Sequence, residues 1–403
     1  MQPSELYPLV DRDVVARLAA RIRRPAYVYF RRIMERQYQR ALGVLPHGTR
    51  VHYAVKANPF APVLHVFRSL GAGADVASLG ELRAVLAAGF SPDDVAFSGP
   101  SKTELELRRA IRWAIGSINV ESLEELETVI RLCRRHGERA RLGLRVNPQT
   151  GGGGAALRMT GDTQFGIAER DLEEAIRLVR GGHDVISFSG LHAHLGSQLL
   201  QPEAIVNNFR TILAVAHRIE ELLSAPLPCV NFGGGWGAPC FAGQSELDLD
   251  ALREGLRALF GESGHRRLLA HARTVVELGR FLVAECGVYL TRVLYLKQGL
   301  HKRYAIVDGG MHHNAIAAGG MGQVLRRNFL FDLFSAAERH APVAPLMVAG
   351  CLCTPIDVLG VDVPLPADLA AGDVLAILNS GAYGYTASPT LFLSHRPPTQ
   401  CMQ

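Results

Sequence analysis

The feature that most constrains the fold is a regular alternation of short β-branched runs with amphipathic stretches, which starts near residue 50. In seven intervening stretches, apolar residues recur at i, i+3, i+4 and i+7, as in helices packed on a core. Eight strands separated by seven helices predict a closed (β/α)₈ barrel, with an open doubly wound sheet as the alternative. The predicted strands lie at residues 51–57, 73–78, 94–99, 117–122, 141–148, 186–196, 228–235 and 273–280.

A second domain is predicted because the helical spacing fades after residue 280. The fold class expected is therefore α/β, with a barrel domain at residues 31–280 and a mainly β domain, a sandwich or barrel, built from residues 1–30 and 281–403. Runs that resemble strands of this second domain lie at residues 26–30, 287–298, 303–310, 346–353 and 373–381.

Composition excludes several classes of protein. The chain is 48% hydrophobic and 20% charged, as globular proteins are, and no apolar run approaches the roughly 18 residues that span a bilayer. The N-terminal segment lacks a signal-peptide pattern, so we expect a cytoplasmic protein with no membrane partner. The net charge of +5 is modest, and Arg alternates with Glu along predicted helices, which argues against a nucleic-acid partner.

The seven cysteines are scattered and odd in number, which predicts reduced thiols rather than disulfides. Cys351 and Cys353 form the only close pair in the sequence. No second Cys or His pair with zinc-site spacing accompanies them, so we predict no metal site.

Lysine is scarce, which narrows the search for an amine nucleophile. Only four of the 43 basic residues are Lys, at positions 56, 102, 297 and 302, and Arg stays protonated. In a barrel, functional residues collect at the C-terminal ends of the strands. Polar or glycine residues at predicted strand ends are Lys56, Asp75, Arg145, His194, Gly233, Gly234, Gly235, Glu277, Gly279 and Arg280.

These residue types match the three chemical handles of pyridoxal 5'-phosphate, namely a phosphate, an aldehyde and a pyridine ring. The triple glycine exposes backbone N–H groups before a predicted helix, which suits a phosphate, and Ser197 can add a hydroxyl. Lys56 can form a Schiff base, Glu277 can pair with the ring nitrogen, and His194 can stack on the ring. Pyridoxal 5'-phosphate is therefore the predicted cofactor.

With these residues in view, the sequence resembles a known family: the barrel-type pyridoxal-phosphate decarboxylases with the alanine racemase-like fold, which include diaminopimelate, ornithine and arginine decarboxylases. The resemblance covers most of the chain. It rests on the motifs YAVKAN (53–58), DVASLGEL (75–82), FSGPSK (97–102), QFGI (164–167), HAHLGSQ (192–198), NFGGGWG (231–237), ELGRFLVAECGVYLTRV (277–293), VDGGM (307–311), GCLCTPID (350–357) and NSGAYGYTAS (379–388).

The resemblance implies a role for each matching residue. Lys56 would be the Schiff-base lysine, Glu277 would face the pyridinium nitrogen, and Cys353 would protonate the product in the active site of a partner subunit. An obligate homodimer with shared active sites follows from that arrangement. The residues implied to line the cofactor are Asp75, Glu81, Arg145 and His194, and those implied to hold its phosphate are Ser197, Gly233, Gly234, Gly235, Gly279, Arg280 and Tyr383.

Two departures from the family pattern bear on the substrate. In diaminopimelate and ornithine decarboxylases an acid follows the Cys, whereas here Thr354 follows it and the nearest acid is Asp357. Diaminopimelate decarboxylases also have an Arg-Pro pair after VDxGM, where this chain has Ile316-Ala317. We therefore expect Thr354, Asp357, Arg326 and Arg327 to contact the substrate.

The patterns CTPxD and GGMHH…GQVxRRN resemble a specialised branch that decarboxylates conjugated amino acids, such as carrier-protein-linked ones, in siderophore, antibiotic or related biosynthesis. The predicted function is therefore removal of the α-carboxylate of a conjugated or carrier-linked amino acid. The alternatives are a diaminopimelate decarboxylase that makes L-lysine, an ornithine or lysine decarboxylase, an amino-acid racemase, and a noncatalytic pyridoxal-phosphate carrier.

Overall fold

A computed structural model describes residues 10–150, 153–155, 157–241, 243–320, 327–335 and 339–403. The chain divides into two compact units. One contains residues 37–237 and 247–279, and the other contains residues 1–36, 238–246 and 280–403.

The first unit is the predicted closed barrel of eight parallel strands. The strands follow one another around the barrel in chain order, and pairing of Ile118 with Leu142 closes the ring. Two of them, at residues 73–76 and 95–97, are buried along their whole length, as expected of parallel strands covered on both faces. The barrel strands are β2 (Arg50–Ala54), β3 (Gly73–Val76), β4 (Val95–Phe97), β5 (Ser117–Val120), β6 (Ala140–Asn147), β9 (Ile186–His192), β11 (Cys229–Asn231) and β12 (Arg273–Leu278).

Helices follow the strands where apolar spacing predicts them. Their starts are fixed by side-chain caps: Ser78, Thr103 and Ser122 each accept a backbone N–H from the first turn. The helices are α1 (Arg12–Arg21), α2 (Arg31–Val44), α3 (Ala61–Ser69), α4 (Leu79–Ala87), α5 (Glu104–Arg112), α6 (Leu123–His136), α7 (Leu172–Gly181), α8 (Pro202–Leu223), α9 (Leu249–Gly261), α10 (Ser263–His271) and α11 (Arg280–Val283).

Two short pairings decorate the barrel. The strand β7 (Leu157–Arg158) pairs with β10 (Gly196–Ser197), and β8 (Ile167–Ala168) extends the end of β6. Gly190 lies at an irregularity in β9 with φ +131°, and a Cβ there would overlap the backbone of Cys229. No helix among the described residues is long and apolar enough to cross a membrane.

The second unit is built on one eight-stranded, mainly antiparallel sheet that joins both ends of the chain. Ala26 pairs with Leu290 on one side and with Thr399 on the other, so the strand at residues 26–29 lies within this sheet. The strands are β1 (Ala26–Tyr29), β13 (Gly287–Gln298), β14 (Arg303–Val307), β15 (Phe331–Phe334), β16 (Val343–Ala349), β17 (Val358–Pro366), β18 (Val374–Ile377) and β19 (Thr399–Met402).

Candidate active site

Polar side chains converge at the C-terminal end of the barrel. Lys56 is exposed in a 3₁₀ turn (Val55–Ala57) directly after β2. Its positive charge acts on three carboxylates and one imidazole from other elements of the barrel unit, and its contribution to the pKa of each is a lowering one. These four groups belong to Asp75, Glu81, His194 and Glu277. The one lysine at a predicted strand end is therefore surrounded by the acids and the imidazole that the sequence singled out.

Glu277 is held by side chains from two neighbouring strands. Asn231 donates from Nδ2 to Glu277 Oε1 at 2.7 Å, and His192 donates from Nε2 to Glu277 Oε2 at 3.1 Å. Burial alone would raise the pKa of Glu277, but the charge and hydrogen bond of His192, with His194 and Lys56, outweigh it and hold this pKa well below its usual range. Glu277 is thus a buried anion with both oxygens occupied.

Asp75 has the opposite electrostatic character. It is 3% exposed, and one of its carboxylate oxygens, Oδ1, is buried without a hydrogen-bond partner in the part of the chain that the structure describes. Burial raises its pKa well above the usual value, and the negative charge of Glu277 adds to this, while Lys56 opposes it. The site therefore holds two nearby buried acids whose pKa values are driven apart.

His194 is fixed in one orientation by the glycine loop. The backbone N–H of Gly234 donates to His194 Nδ1 at 3.0 Å, so the neutral ring carries its proton on Nε2. Burial, followed by the charges of Lys56 and Arg145, lowers the pKa of His194 well below its usual value. The imidazole is therefore neutral at physiological pH and can lie against a flat ring.

The triple glycine approaches other backbone closely. A Cβ on Gly234 would overlap the carbonyl oxygen of Glu277, while Gly233 and Gly235 have φ of +60° and +99°. Two of the three N–H groups are used within the protein, since Gly233 donates to Asn231 Oδ1 at 3.0 Å and Gly234 donates to His194. The sequence predicted that a helix begins just after this loop. That prediction is wrong, because the next helix, α9, begins only at Leu249.

Arg145 is the buried cation of the site. It donates from Nη1 to Glu121 Oε1 at 2.7 Å, and its guanidinium lies 4.9 Å from the ring centre of Phe165. Glu121 also accepts backbone N–H groups from Gly99 at 2.5 Å and Gly166 at 3.2 Å. Arg145 is thus tied to the loops that carry the FSGPSK and QFGI motifs.

The remaining predicted residues of the barrel unit lie in the first turn of a helix, in a short strand and just after the last barrel strand. Glu81 is half-buried in the first turn of α4 and accepts the N–H of Ala77 at 2.7 Å; burial raises its pKa. Ser197 is half-buried in β10. A Cβ on Gly279 would lie 3.1 Å from the Cβ of Ala57, so Gly279 allows the chain to pass close to the Lys56 turn.

In the β-domain unit, Arg280 and Tyr383 contact each other. The Arg280 guanidinium lies 4.9 Å from the centre of the Tyr383 ring. Tyr383 has φ +62°, a backbone conformation that costs a non-glycine residue energy. Arg280 Nε is buried without a hydrogen-bond partner among the described residues.

Cys353 is exposed on a loop that follows β16. Asp357 organises this loop, because its buried carboxylate accepts the backbone N–H groups of Met311 at 2.6 Å and Leu352 at 2.8 Å. Its pKa is raised by burial. Asp357 therefore faces into the loop, and Thr354 beside Cys353 is half-buried.

Residues 315–320, which include the Ile316-Ala317 pair, form a compact turn. Ile316 is 5% exposed and Ala317 is 1% exposed, so both pack inside the β-domain unit. Arg327 is exposed, and Arg326 lies outside the described residues. Substrate contacts by these arginines stay predictions.

A family model described as "Pyridoxal-dependent decarboxylase, pyridoxal binding domain" matches residues 31–284. The chain belongs to this family. It is a pyridoxal-phosphate-dependent decarboxylase, a carboxy-lyase, as the motifs predicted. A similar protein is the L-glutamyl-[BtrI acyl-carrier protein] decarboxylase of Niallia circulans, 34% identical over 98% of this chain and 92% of that protein.

Two further relatives agree with this assignment. The diaminopimelate decarboxylase of Pseudomonas aeruginosa is 36% identical over 93% of this chain and 86% of that protein. The crystal structure of diaminopimelate decarboxylase from Helicobacter pylori complexed with L-lysine has a TM-score of 0.85 at 26% identity, over 96% of this chain and 94% of that one.

The barrel unit fits the cofactor of this family. It offers an exposed amine at Lys56, a buried anion at Glu277, a neutral imidazole at His194 and an unpartnered carboxylate oxygen on Asp75. Reasoning from the sequence missed His192 and Asn231, which hold Glu277. Both stand at strand ends inside quoted motifs, so their position was a signal that could have found them.

Proposed function

We propose that this decarboxylase removes the α-carboxylate of an amino acid that is joined to an acyl-carrier protein. When bound, pyridoxal 5'-phosphate supplies an electron sink for the electrons left behind as CO₂ departs. The chain's own residues orient the cofactor and substrate, set the charge of the groups around the cofactor ring, and return a proton to the α-carbon.

Each role follows from the environment of one side chain. Lys56 offers the amine that attaches the cofactor. Glu277 remains an anion and so keeps a proton on a ring nitrogen placed beside it. His194, neutral and fixed by Gly234, supports a ring face, and Cys353 delivers the proton to the α-carbon. The other cofactor-binding roles were assigned from the resemblance and stay predictions. They concern Asp75, Glu81, Arg145, Ser197, Gly233–Gly235, Gly279, Arg280 and Tyr383.

The observation that carries the substrate proposal is the state of the loop after Cys353. An enzyme for a free diamino acid needs an acid there to anchor the distal amino group. The nearest acid, Asp357, already accepts two backbone N–H groups, one from Leu352 in its own loop and one from Met311. The carrier-linked substrate named for the Niallia circulans relative adds support.

An arginine-lined cavity of about 800 Å³ in the β-domain unit suits an acidic carrier protein. Arg21, Arg23, Arg24 and Arg396 line it and are exposed. Among the described residues, none of these four guanidinium groups has a carboxylate partner, whereas many other surface arginines are paired. Among the described residues that line it, Asp308 is the only acid. We propose that this surface, the arginine cavity, docks the carrier.

The test measures CO₂ release from a panel of substrates, with Lys56→Ala as the inactive control. The panel holds glutamyl-loaded carrier protein, a small glutamyl thioester, free glutamate, meso-diaminopimelate, ornithine and lysine. We expect the carrier-linked substrate to have the highest kcat/KM. Efficient turnover of a free diamino acid with none of a conjugate would overturn the substrate proposal.

The arginine cavity is tested by the double variant R23A/R24A. We expect KM for the glutamyl-loaded carrier to rise by about 10-fold or more at low salt and to become less sensitive to salt, while KM for the small thioester stays unchanged. An equal effect on both substrates would mean that these arginines do not dock the carrier.

Diaminopimelate decarboxylation is the second candidate, because relatives named for it reach 36% identity over most of the chain. The Ile316-Ala317 pair, buried where those enzymes carry Arg-Pro, argues against it. We also propose a homodimer in which Cys353 serves the partner's site, and a cytoplasmic location.

A further inference from the structure

Two adjacent histidines in the β-domain unit have opposite environments. Both ring nitrogens of His313 are used, with Tyr289 Oη at 3.2 Å from Nδ1 and the Arg396 carbonyl at 2.9 Å from Nε2. His312 is fully buried, at 0% exposure, and neither of its ring nitrogens has a hydrogen-bond partner among the described residues. Leaving a buried polar atom unpaired costs about 1–3 kcal/mol, so both nitrogens are open to a ligand.

Two further ligating side chains surround His312. Cys351 lies on the loop after β16, and His395 precedes β19. The ligand atoms of the three residues all lie within 4.8 Å of one another, and the rings of His312 and His395 are 5.0 Å apart. The three residues are far apart in sequence, which is why spacing alone predicted no metal site.

We propose that His312, Cys351 and His395 form a zinc site. One thiolate and two imidazoles are ligands that Zn²⁺ prefers, and three protein ligands leave a fourth position for water. With bonds of about 2.0–2.3 Å, tetrahedral ligand atoms lie about 3.3–3.6 Å apart, so side-chain movements of about 1 Å close the site. Binding replaces the S–H bond of Cys351 with a Zn–S bond and releases the proton to solvent.

The surroundings suit a cation. Asp357 and Asp308 both act electrostatically on Cys351. Zinc bound there would place two positive charges near these carboxyl groups and stabilise the thiolate.

Zinc at this position would fix the loop that carries Cys353, because Cys351 is two residues away. The same ion would tie that loop to the segment before β19. The zinc site itself does not depend on the proposed function, since its occupancy is measured without any substrate.

The experiment determines zinc bound per chain by elemental analysis of the full-length protein, and zinc affinity after chelator treatment. We expect one zinc per wild-type chain. C351S and H395A should lower the affinity by more than the roughly 10- to 100-fold that loss of an outer-shell partner costs. H395A removes an exposed side chain, so it tests the site without opening the core.

Two matched controls separate this site from incidental binding. C353S removes a thiol from the same loop, and H301A removes an exposed histidine of the same unit; both should keep wild-type affinity. Cobalt substitution should give the visible bands of a tetrahedral thiolate complex, absent in C351S. No zinc in the wild type at micromolar concentration, or unchanged affinity in C351S and H395A, would overturn the proposal.

Discussion

Two buried carboxylates, Glu277 and Asp75, show how the site sets charge residue by residue. Glu277 gains donors from Asn231 and His192 and remains ionised. Asp75 has an oxygen without a donor and a raised pKa. Glu277 stays ionised and can keep a proton on a nearby ring nitrogen. Asp75 resists ionisation, and its unpaired oxygen can accept a hydrogen bond from a ligand or pair with a ligand cation.

Asn231→Ala removes a hydrogen bond to a buried anion and the acceptor for the Gly233 N–H. We expect the free energy of cofactor binding to weaken by about 1.5–3 kcal/mol, which corresponds to an affinity about 10- to 150-fold lower. The pKa of Glu277 should rise, so the acid limb of the kcat/KM profile should move to higher pH. Cofactor absorbance titrations measure the affinity, and Asn207→Ala, an exposed position on α8, is the control. A wild-type pH profile in the Asn231 variant would contradict this role.

Asp75→Asn changes the pH dependence of stability in the cofactor-free protein. Because the folded pKa of Asp75 lies above the unfolded value of 3.8, the folded state binds more protons between the two, and wild-type stability falls as pH rises through that window. The variant lacks this penalty. Its stability relative to wild type should be flat below about pH 4 and increase toward neutrality. Thermal unfolding of both proteins between pH 4 and 7 measures this difference in stability. If the stability of the variant relative to wild type declines with pH, the Asp75 carboxylate is stabilised by a cation or hydrogen-bond donors in the folded protein.

At the scale of elements, the sequence predicted most of the barrel and part of the β domain. The eight barrel strands and seven helices from α3 to α9 were predicted because short β-branched runs mark the strands and period-3.6 patterns mark the helices. The strands β15, β17 and β19 were missed because they are short, half-exposed or rich in Pro. His192 and Asn231 were missed as partners of Glu277, since hydrogen bonds across strands depend on register. The three proposed zinc ligands were missed because they are far apart in sequence and lie on separate loops.

Gly234→Ala tests the contact between the glycine loop and β12. Its Cβ would overlap the Glu277 carbonyl, so we expect a loss of about 1–3 kcal/mol or more in unfolding free energy, with loss of cofactor binding. Gly43→Ala is the matched control, because Gly43 lies in α2 with no atom within 4 Å of a new Cβ. That change should stabilise the protein by about 0.4–1 kcal/mol. Urea unfolding distinguishes the two; equal effects would mean that the loop yields.

At the scale of the whole molecule, the proposed dimer places Lys56 and Cys353 of different subunits in one site. Lys56→Ala and Cys353→Ala homodimers should each be nearly inactive. After subunit exchange in an equal mixture, half of the dimers are mixed and hold one intact site of two. Activity should recover to about one quarter of wild type. No recovery, despite exchange shown by differently tagged subunits, would place both residues in the same chain's site.

The sheet of the β-domain unit has a consequence for the order in which the chain folds. Its strand β1 lies between β13 and β19. Residue 26 therefore cannot form its strand pairings until residues near 290 and 399 have been synthesised. The barrel strands are all made once residue 278 has been synthesised. During translation the barrel can therefore form first, while β1 remains without its partners until the last hundred or so residues emerge. Deleting Thr399–Met402 should leave barrel folding on the ribosome unchanged. The sheet of the β-domain unit should then fail to form after the chain is released.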